Sequence, residues 1–227
     1  EKKHSLDLSA WNNVVKKIHN TSNKVTVGVV GKYTDLKDSY KSLNEALIHG
    51  GLHNNTKVDI EWINSEKLSE EDIIKKLSNT QGILVPGGFG DRGIEGKISS
   101  IKFARENNVP FFGICLGLQM AVVEYARNVC DIKDAASIES TKKSDNYVID
   151  LMPDQKDVRN MGGTMRLGNY PCHLIPGTKA AAAYGADMVL ERHRHRFEFN
   201  NEYREPLQNA GVLASGLSPD GQLVEIV

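Results

Sequence analysis

The sharpest chemical signal in this sequence is five residues long: Gly113-Ile114-Cys115-Leu116-Gly117. It lies where an apolar, β-patterned run (111–114) turns directly into an apolar run of helical period (116–127). A cysteine between two glycines at a strand-to-helix turn is the nucleophile-elbow arrangement, with a thiol in place of a hydroxyl. The turn is tight and leaves no room for β-carbons on either side, which is why both flanking positions call for glycine. A helix starting at Leu116 aims free N–H groups and its positive end at the sulfur and so favours thiolate. The same N–H groups can bind the oxyanion of an acyl-transfer intermediate. The plainer alternative is a small buried hydrophobe, the usual fate of a free cysteine. Cys130 and Cys172 have no comparable setting and read as structural.

Two further clusters could meet that sulfur. Pro86-Gly87-Gly88-Phe89-Gly90 ends a neighbouring strand. Ligands of a doubly wound sheet bind beyond the carboxyl ends of its strands, so this loop and the elbow can face one pocket. Its backbone N–H groups could complete an oxyanion hole, although an ordinary turn would use the same residues. The second cluster is Glu191-Arg192-His193-Arg194-His195-Arg196-Phe197-Glu198. As a strand it would turn His193 and His195 one way and Arg194 and Arg196 the other. An arginine there suits a carboxylate ligand through a two-pronged contact. A polar strand whose cations pair with nearby carboxylates accounts for the same residues. Gly28-Val29-Val30-Gly31 lacks the GxGxxG spacing and carries no dinucleotide signal.

These clusters need a scaffold, and the rest of the chain describes one. Strand-like runs at 25–31, 58–63, 82–85 and 111–114 alternate with helical runs at 36–49, 70–77, 94–104 and 116–127. That rhythm predicts a doubly wound α/β fold, with a mainly parallel sheet and helices on both faces. Beyond residue 140 the rhythm changes to short β-like runs, such as 188–190 and 212–214, around one small helix at 178–184. These are expected to add mixed strands to the same sheet. A helix over 6–18 carries Leu8, Trp11, Val14, Val15 and Ile18 at helical spacing and reads as a linker docked on the domain that begins at the first strand.

Composition narrows the function. The 227 residues are 40% hydrophobic, enough for one good core. A net charge of -1 gives no field for nucleic acid. No apolar run reaches membrane-spanning length, and no signal-peptide layout opens the chain. Three widely spaced cysteines without CxxC pairs point to a reducing, cytoplasmic setting and to no metal site. The chain runs from Glu1 to a β-patterned end at Val227, which reads as a piece of something longer.

Together, 86–90, 110–119, 162–168 and above all the Arg-His-Arg-His-Arg-Phe-Glu run at 192–198 resemble the C-terminal glutaminase domain of the CTP synthase family, a class I glutamine amidotransferase; 25–33 and 220–227 fit as well. The resemblance implies a linker helix over 1–23 and an amidotransferase domain over 24–227. It implies that Cys115 attacks the side-chain amide of L-glutamine, releasing ammonia and leaving a glutamyl thioester. Gly88 and Leu116, with Gly117 and Leu118 beside them, would surround that amide. Gln119, Glu139 and Arg196 would hold the amino-acid end, Arg196 on the α-carboxylate and Glu139 on the α-ammonium. The domain itself would need no cofactor. Ammonia would pass to an N-terminal synthetase domain of the same protein, which aminates UTP with ATP and Mg2+, in a homotetramer. GTP would activate allosterically, with Phe89 and 162–168 among its contacts. The family's catalytic histidine and glutamate lie in a His-Pro-Glu motif that this sequence does not contain, so His193 and His195 are given no catalytic role and the chain is expected to be inactive alone. Two rivals differ in class: a sensor that binds without turnover, and a peptidase or thioesterase on the same elbow. The intact elbow disfavours the first, and the Glu139–Arg196 pair, matched to a free amino acid, disfavours the second.

Overall fold

A computed structural model describes residues 6–34, 36–151 and 165–227. Its first half is the predicted alternation. β1 (Asn23–Gly31), β2 (Thr56–Asn64), β3 (Gly82–Val85) and β4 (Phe111–Gly113) form one parallel sheet in the order β2-β1-β3-β4. Val29 and Val30 are neighbours in β1, point to opposite faces, and are both fully buried. Both faces of the sheet are therefore covered, which is why β1 reads as a continuous apolar run.

The covering helices follow from local signals. α2 (Lys41–His53) packs on β2. α3 (Glu70–Leu77) opens with a capping box, Ser69 Oγ accepting from the Asp72 N–H at 3.1 Å and Asp72 accepting in return from the Ser69 N–H. α4 (Ile94–Glu106) and α5 (Leu116–Asn128) pack side by side. The Arg105 guanidinium crosses between them to Glu124, a carboxylate only 1% exposed, at 2.8–3.1 Å. Around these helices a single core joins both halves, from Val30, Ile63 and Leu77 through Met120 and Val123 to Val148, Phe199 and Val224.

The second half departs from expectation in one respect. Its strands build two sheets of their own instead of extending the parallel one. β7 (Arg166–Leu174), β8 (Met188–His195), β10 (Gly216–Leu217) and β11 (Val224–Ile226) make an antiparallel sheet ordered β11-β10-β7-β8. β5 (Ala136–Ser137), β6 (Tyr147–Leu151) and β9 (Phe197–Phe199) form the other. The reason is connection length. β7 and β8 are joined only by the segment holding α6 (Lys179–Tyr184), so they pair antiparallel with no crossover. The run at 212–214 is not a strand. It leaves α7 (Arg204–Asn209) by a bond from the Val212 N–H to the Leu207 carbonyl, and pairing begins only after it.

α1 (Ser9–Asn20) forms where a helix is predicted, yet none of its residues is buried. Trp11 is 70% exposed and Ile18 55%, and the Lys17 ammonium reaches the Leu52 carbonyl of α2 at 3.2 Å. Among the described residues, no helix is long and apolar enough to cross a membrane.

Candidate active site

Cys115 occupies the turn between β4 and α5 with φ 55° and ψ −107°, a left-handed conformation that a β-carbon makes costly. The flanking glycines explain how the turn closes. A β-carbon on Gly113 would stand 2.5 Å from the Gly117 carbonyl carbon, and one on Gly117 would stand 2.1 Å from the Val85 carbonyl oxygen. Both contacts are with backbone, which cannot swing aside. The turn is pinned from three directions, by bonds from Ile114 N–H to Val85 O, Gly117 N–H to Ile114 O, and Gln119 N–H to Cys115 O. The Gly87 loop lies against the nucleophile, since a β-carbon on Gly87 would be 3.9 Å from Sγ.

A cavity of about 250 Å³ opens above the sulfur. The structure brings Gly88, Cys115, Gln119, Glu139 and Arg196 to its wall, five of the eight site residues that sequence and resemblance single out. Glu139 accepts from the Gly90 N–H at 2.8 Å and so ties the glycine loop to the cavity. The Gln119 amide donates to the Phe197 carbonyl at 2.9 Å. Leu116, Gly117 and Leu118 do not line this cavity. Leu116 is 1% exposed in the core and faces an adjoining cavity, while Leu118 packs against the core. Met165 and Phe89 close the rim, and Arg194 lies over the Phe89 ring at 5.6 Å. Residues 162–164, part of the run linked to GTP, lie outside the described residues.

The arginine–histidine run does not alternate as a regular strand would. Arg194, His195 and Arg196 all line the cavity, because the chain bends at Arg196 between β8 and β9. His195, left without a role by sequence reasoning, is hydrogen-bonded to the Cys115 side chain. Its Nδ1 stands 3.6 Å from Glu198 and 3.2 Å from His193 Nδ1. Burial drives the His195 pKa down, but hydrogen bonds to Cys115 and Glu198 and their charges outweigh it and push it up to about 10. His193 goes the other way: burial, aided by Arg166 and His195, lowers it against the pull of Glu225 and Glu198. Two adjacent imidazoles are thereby split into one charged and one neutral. A neutral His193 can accept at Nδ1 the proton that His195 donates.

Behind the histidines sits a charge cluster that sequence reasoning missed. Arg166, 7% exposed, forks onto both oxygens of Glu225 and reaches Glu198 Oε1 at 3.4 Å. Arg166 and His195 are cross-strand partners in the β7–β8 register. Only that register identifies the cluster, because Arg166, Glu198 and Glu225 come from three different strands. Among the described residues, no group of histidine, cysteine and carboxylate side chains is placed to hold a metal ion.

Comparison with known proteins bears on this geometry. A family model described as "Glutamine amidotransferase class-I" matches residues 35–227. The CTP synthase of Carboxydothermus hydrogenoformans is 58% identical over 221 residues, 97% of this chain and 41% of its own length. That of Clostridium acetobutylicum is 55% identical over 222 residues, 98% of this chain and 42% of its own. The chain thus spans about two fifths of the length of these relatives. Among solved structures, the Trypanosoma brucei CTPS glutaminase domain with bound acivicin superposes with a TM-score of 0.80 at 37% identity, covering 88% of this chain and 78% of that one.

Proposed function

Because this chain belongs to the class-I glutamine amidotransferases, as a glutaminase domain of the CTP synthase type, we propose that Cys115 hydrolyses L-glutamine through a glutamyl thioester. The observation that carries this reading is the convergence of a strained Cys115, the glycine loop, and one carboxylate and one guanidinium, Glu139 and Arg196, on one cavity. A free amino acid presents one ammonium and one carboxylate, and the cavity offers a partner of each sign. The Cys115 sulfur attacks the amide carbon. The carbon–nitrogen bond breaks, nitrogen leaves as ammonia with an added proton, and water then cleaves the thioester to glutamate. Backbone N–H groups at the start of α5 and in the glycine loop face the developing oxyanion.

His195, raised by its hydrogen bonds to Cys115 and Glu198, is charged at neutral pH and can hand a proton to the departing nitrogen. The same high basicity suits it poorly to taking a proton from water, since a general base works best near the operating pH. We assign water activation to the His-Pro-Glu motif of the family resemblance. On that assignment these 227 residues acylate but clear the thioester slowly.

The wider setting is that of the CTP synthase relatives. Ammonia released here serves amination of UTP by an N-terminal synthetase domain that uses ATP and Mg2+, with GTP as activator, in a cytoplasmic homotetramer. The exposed apolar side chains of α1, Trp11 and Ile18 among them, support its reading as a linker to that domain. Ammonia release from glutamine and from N-acetylglutamine tests the reading, in the chain extended through the motif. Glutamine should be the far better substrate, because acetylation removes the charge that Glu139 meets. Equal rates would reject this function in favour of a peptidase or a general amidase.

A further inference from the structure

Unlike the elbow, the glycine loop is held in place by side chains. Among the described residues, positions 87–90 make no backbone-to-backbone hydrogen bond. The loop is caught instead at one peptide group, the one that joins Phe89 to Gly90. Its carbonyl accepts from Lys32 Nζ at 2.7 Å, and its N–H donates to Glu139 Oε1 at 2.8 Å. An ammonium and a carboxylate thus grip the two ends of one peptide dipole, and hydrogen bonds to ionised groups are the strong ones.

Glu139 lies far from the loop in sequence and is presented by a rigid turn just after β5. The Ser137 carbonyl accepts from the Ser140 N–H at 2.9 Å, from Ser140 Oγ at 2.8 Å and from the Thr141 N–H at 3.3 Å. Ser137 Oγ accepts from the Glu139 N–H at 3.3 Å, and the Ile138 N–H reaches the Ile149 carbonyl of β6 at 3.0 Å. Ser137 itself is 1% exposed. The turn fixes the Glu139 backbone, and the carboxylate carries that fixity across to Gly90.

We propose that Glu139 is a positioning residue as well as a substrate ligand: one carboxylate oxygen latches the glycine loop beside Cys115, and the other is left for the ammonium of glutamine. The inference rests on the glutaminase reading and deepens it. A carboxylate has acceptor sites enough for both tasks. Gly88 and Glu139 line the Cys115 cavity together, and a β-carbon on Gly87 would stand 3.4 Å from Cys115 Cβ. A loop released at Gly90 carries its N–H groups away from the oxyanion that forms beside the sulfur. Recognition of the amino-acid end and stabilisation of the oxyanion are thereby joined in one side chain.

The two roles make different demands, and substitutions separate them. Binding an ammonium needs negative charge, whereas holding the Gly90 N–H needs only an acceptor oxygen. Glu139→Gln keeps the acceptor and loses the charge; Glu139→Ala loses both. Glutaramate, which is glutamine without its α-ammonium, separates the roles from the substrate side.

The test uses the chain extended through the His-Pro-Glu motif, with circular dichroism as the check on folding. With glutaramate, Glu139→Ala should lower kcat at least about tenfold, since outright loss of an oxyanion donor costs about 10²–10³-fold. Glu139→Gln should restore that kcat. With glutamine, Glu139→Gln should raise KM at least about tenfold at little cost in kcat, as loss of a charged contact does. Glu139→Ala should raise KM and lower kcat together. Hydrogen exchange over 87–90 reads the latch without turnover: it should be at least about tenfold faster in Glu139→Ala and unchanged in Glu139→Gln. Where the alanine variant does not fold, Glu139→Asp replaces it, since its carboxylate is one methylene short of Gly90. An unchanged glutaramate kcat, or unchanged exchange over 87–90, in the folded variant would overturn the proposal and leave the glutaminase reading standing. Wild-type protein that turns over neither amide would reject that reading, and the proposal falls with it.

Discussion

The two sides of the Cys115 cavity are made by different physics. One side is backbone: the glycine loop and the elbow, whose Gly113 and Gly117 are set by contacts of 2.1–2.5 Å that only glycine avoids. The other side is charge: Arg166, Glu198, Glu225, His193 and His195, drawn from antiparallel strands of the second half. The first holds a nucleophile in a strained conformation by backbone contacts and backbone hydrogen bonds. The second decides which neighbouring imidazole carries a proton. Shape on one side and protonation on the other should fail separately, and substitutions can separate them.

The largest effect belongs to the nucleophile. In the chain extended through the His-Pro-Glu motif, Cys115→Ala should reduce glutamine hydrolysis by at least about 10³-fold, since members of a catalytic unit act together. Any fall in its unfolding midpoint should be confined to pH below about 10, where the Cys115 side chain supports a charged His195, because otherwise the substitution removes one half-exposed sulfur. A steady-state ammonia assay with a denaturation curve checks both. A large loss of stability would mean that the thiol is a structural part of the turn.

Arg166→Met comes next. It strands Glu225 and Glu198 in the interior, and breaking a buried pair in this way costs about 3–5 kcal/mol. The stranded carboxylates gain a drive to bind protons, so the loss should be smaller at low pH. Urea titrations at pH 5 and pH 8 measure it, and an equal cost at both would remove the charge cluster from the account.

On the backbone side, Gly117→Ala should destabilise by about 1–3 kcal/mol, as overpacking does. Gly50→Ala is the matched control within α2. Nothing stands within 4 Å of its added β-carbon, and it should stabilise by about 0.5–1 kcal/mol. Opposite signs at two helical glycines would confirm that the elbow glycine is there for space and not for flexibility.

A separate test of the charged side is the pH signature of His195. Its pKa is raised in the folded chain to about 10 from 6.5. The stability this contributes is fully present below 6.5 and is lost as pH rises from there through 10. His195→Gln should flatten the stability curve in that window: the variant's deficit should be largest and constant below pH 6 and should close as pH rises towards 10. A curve of the same shape in the variant would contradict the hydrogen bonding of a charged His195 to Cys115 and Glu198.

How far each side is legible in the sequence depends on the same contrast. The steric demand at Gly113 and Gly117 is local, acting between residues four apart and a neighbouring strand, so glycine spacing alone announces the turn. The parallel sheet is equally open to reading, because β1 and β3 are buried runs bounded by glycine or proline. The charge cluster depends on long-range register. Arg166 meets His195 only through the β7–β8 pairing, and Glu225 arrives on a strand 59 residues from Arg166. Period-two alternation also misplaces Arg196 relative to His195, because it carries no sign of the bend between β8 and β9. The run at 212–214 has strand composition but no partner strand. Composition suggests which residues could form a strand, and pairing decides which do.

The central claim is that Cys115 forms a covalent glutamyl intermediate in the cavity that Glu139 and Arg196 share. Mixing the chain with glutamine, quenching in acid and mapping the adduct by mass spectrometry tests it most directly. A glutamyl group should appear on the peptide containing Cys115. It should build up further in these 227 residues than in a version extended through the His-Pro-Glu motif, and Arg196→Ala should weaken its formation. Ammonia release at full rate with no adduct on Cys115 would contradict the account.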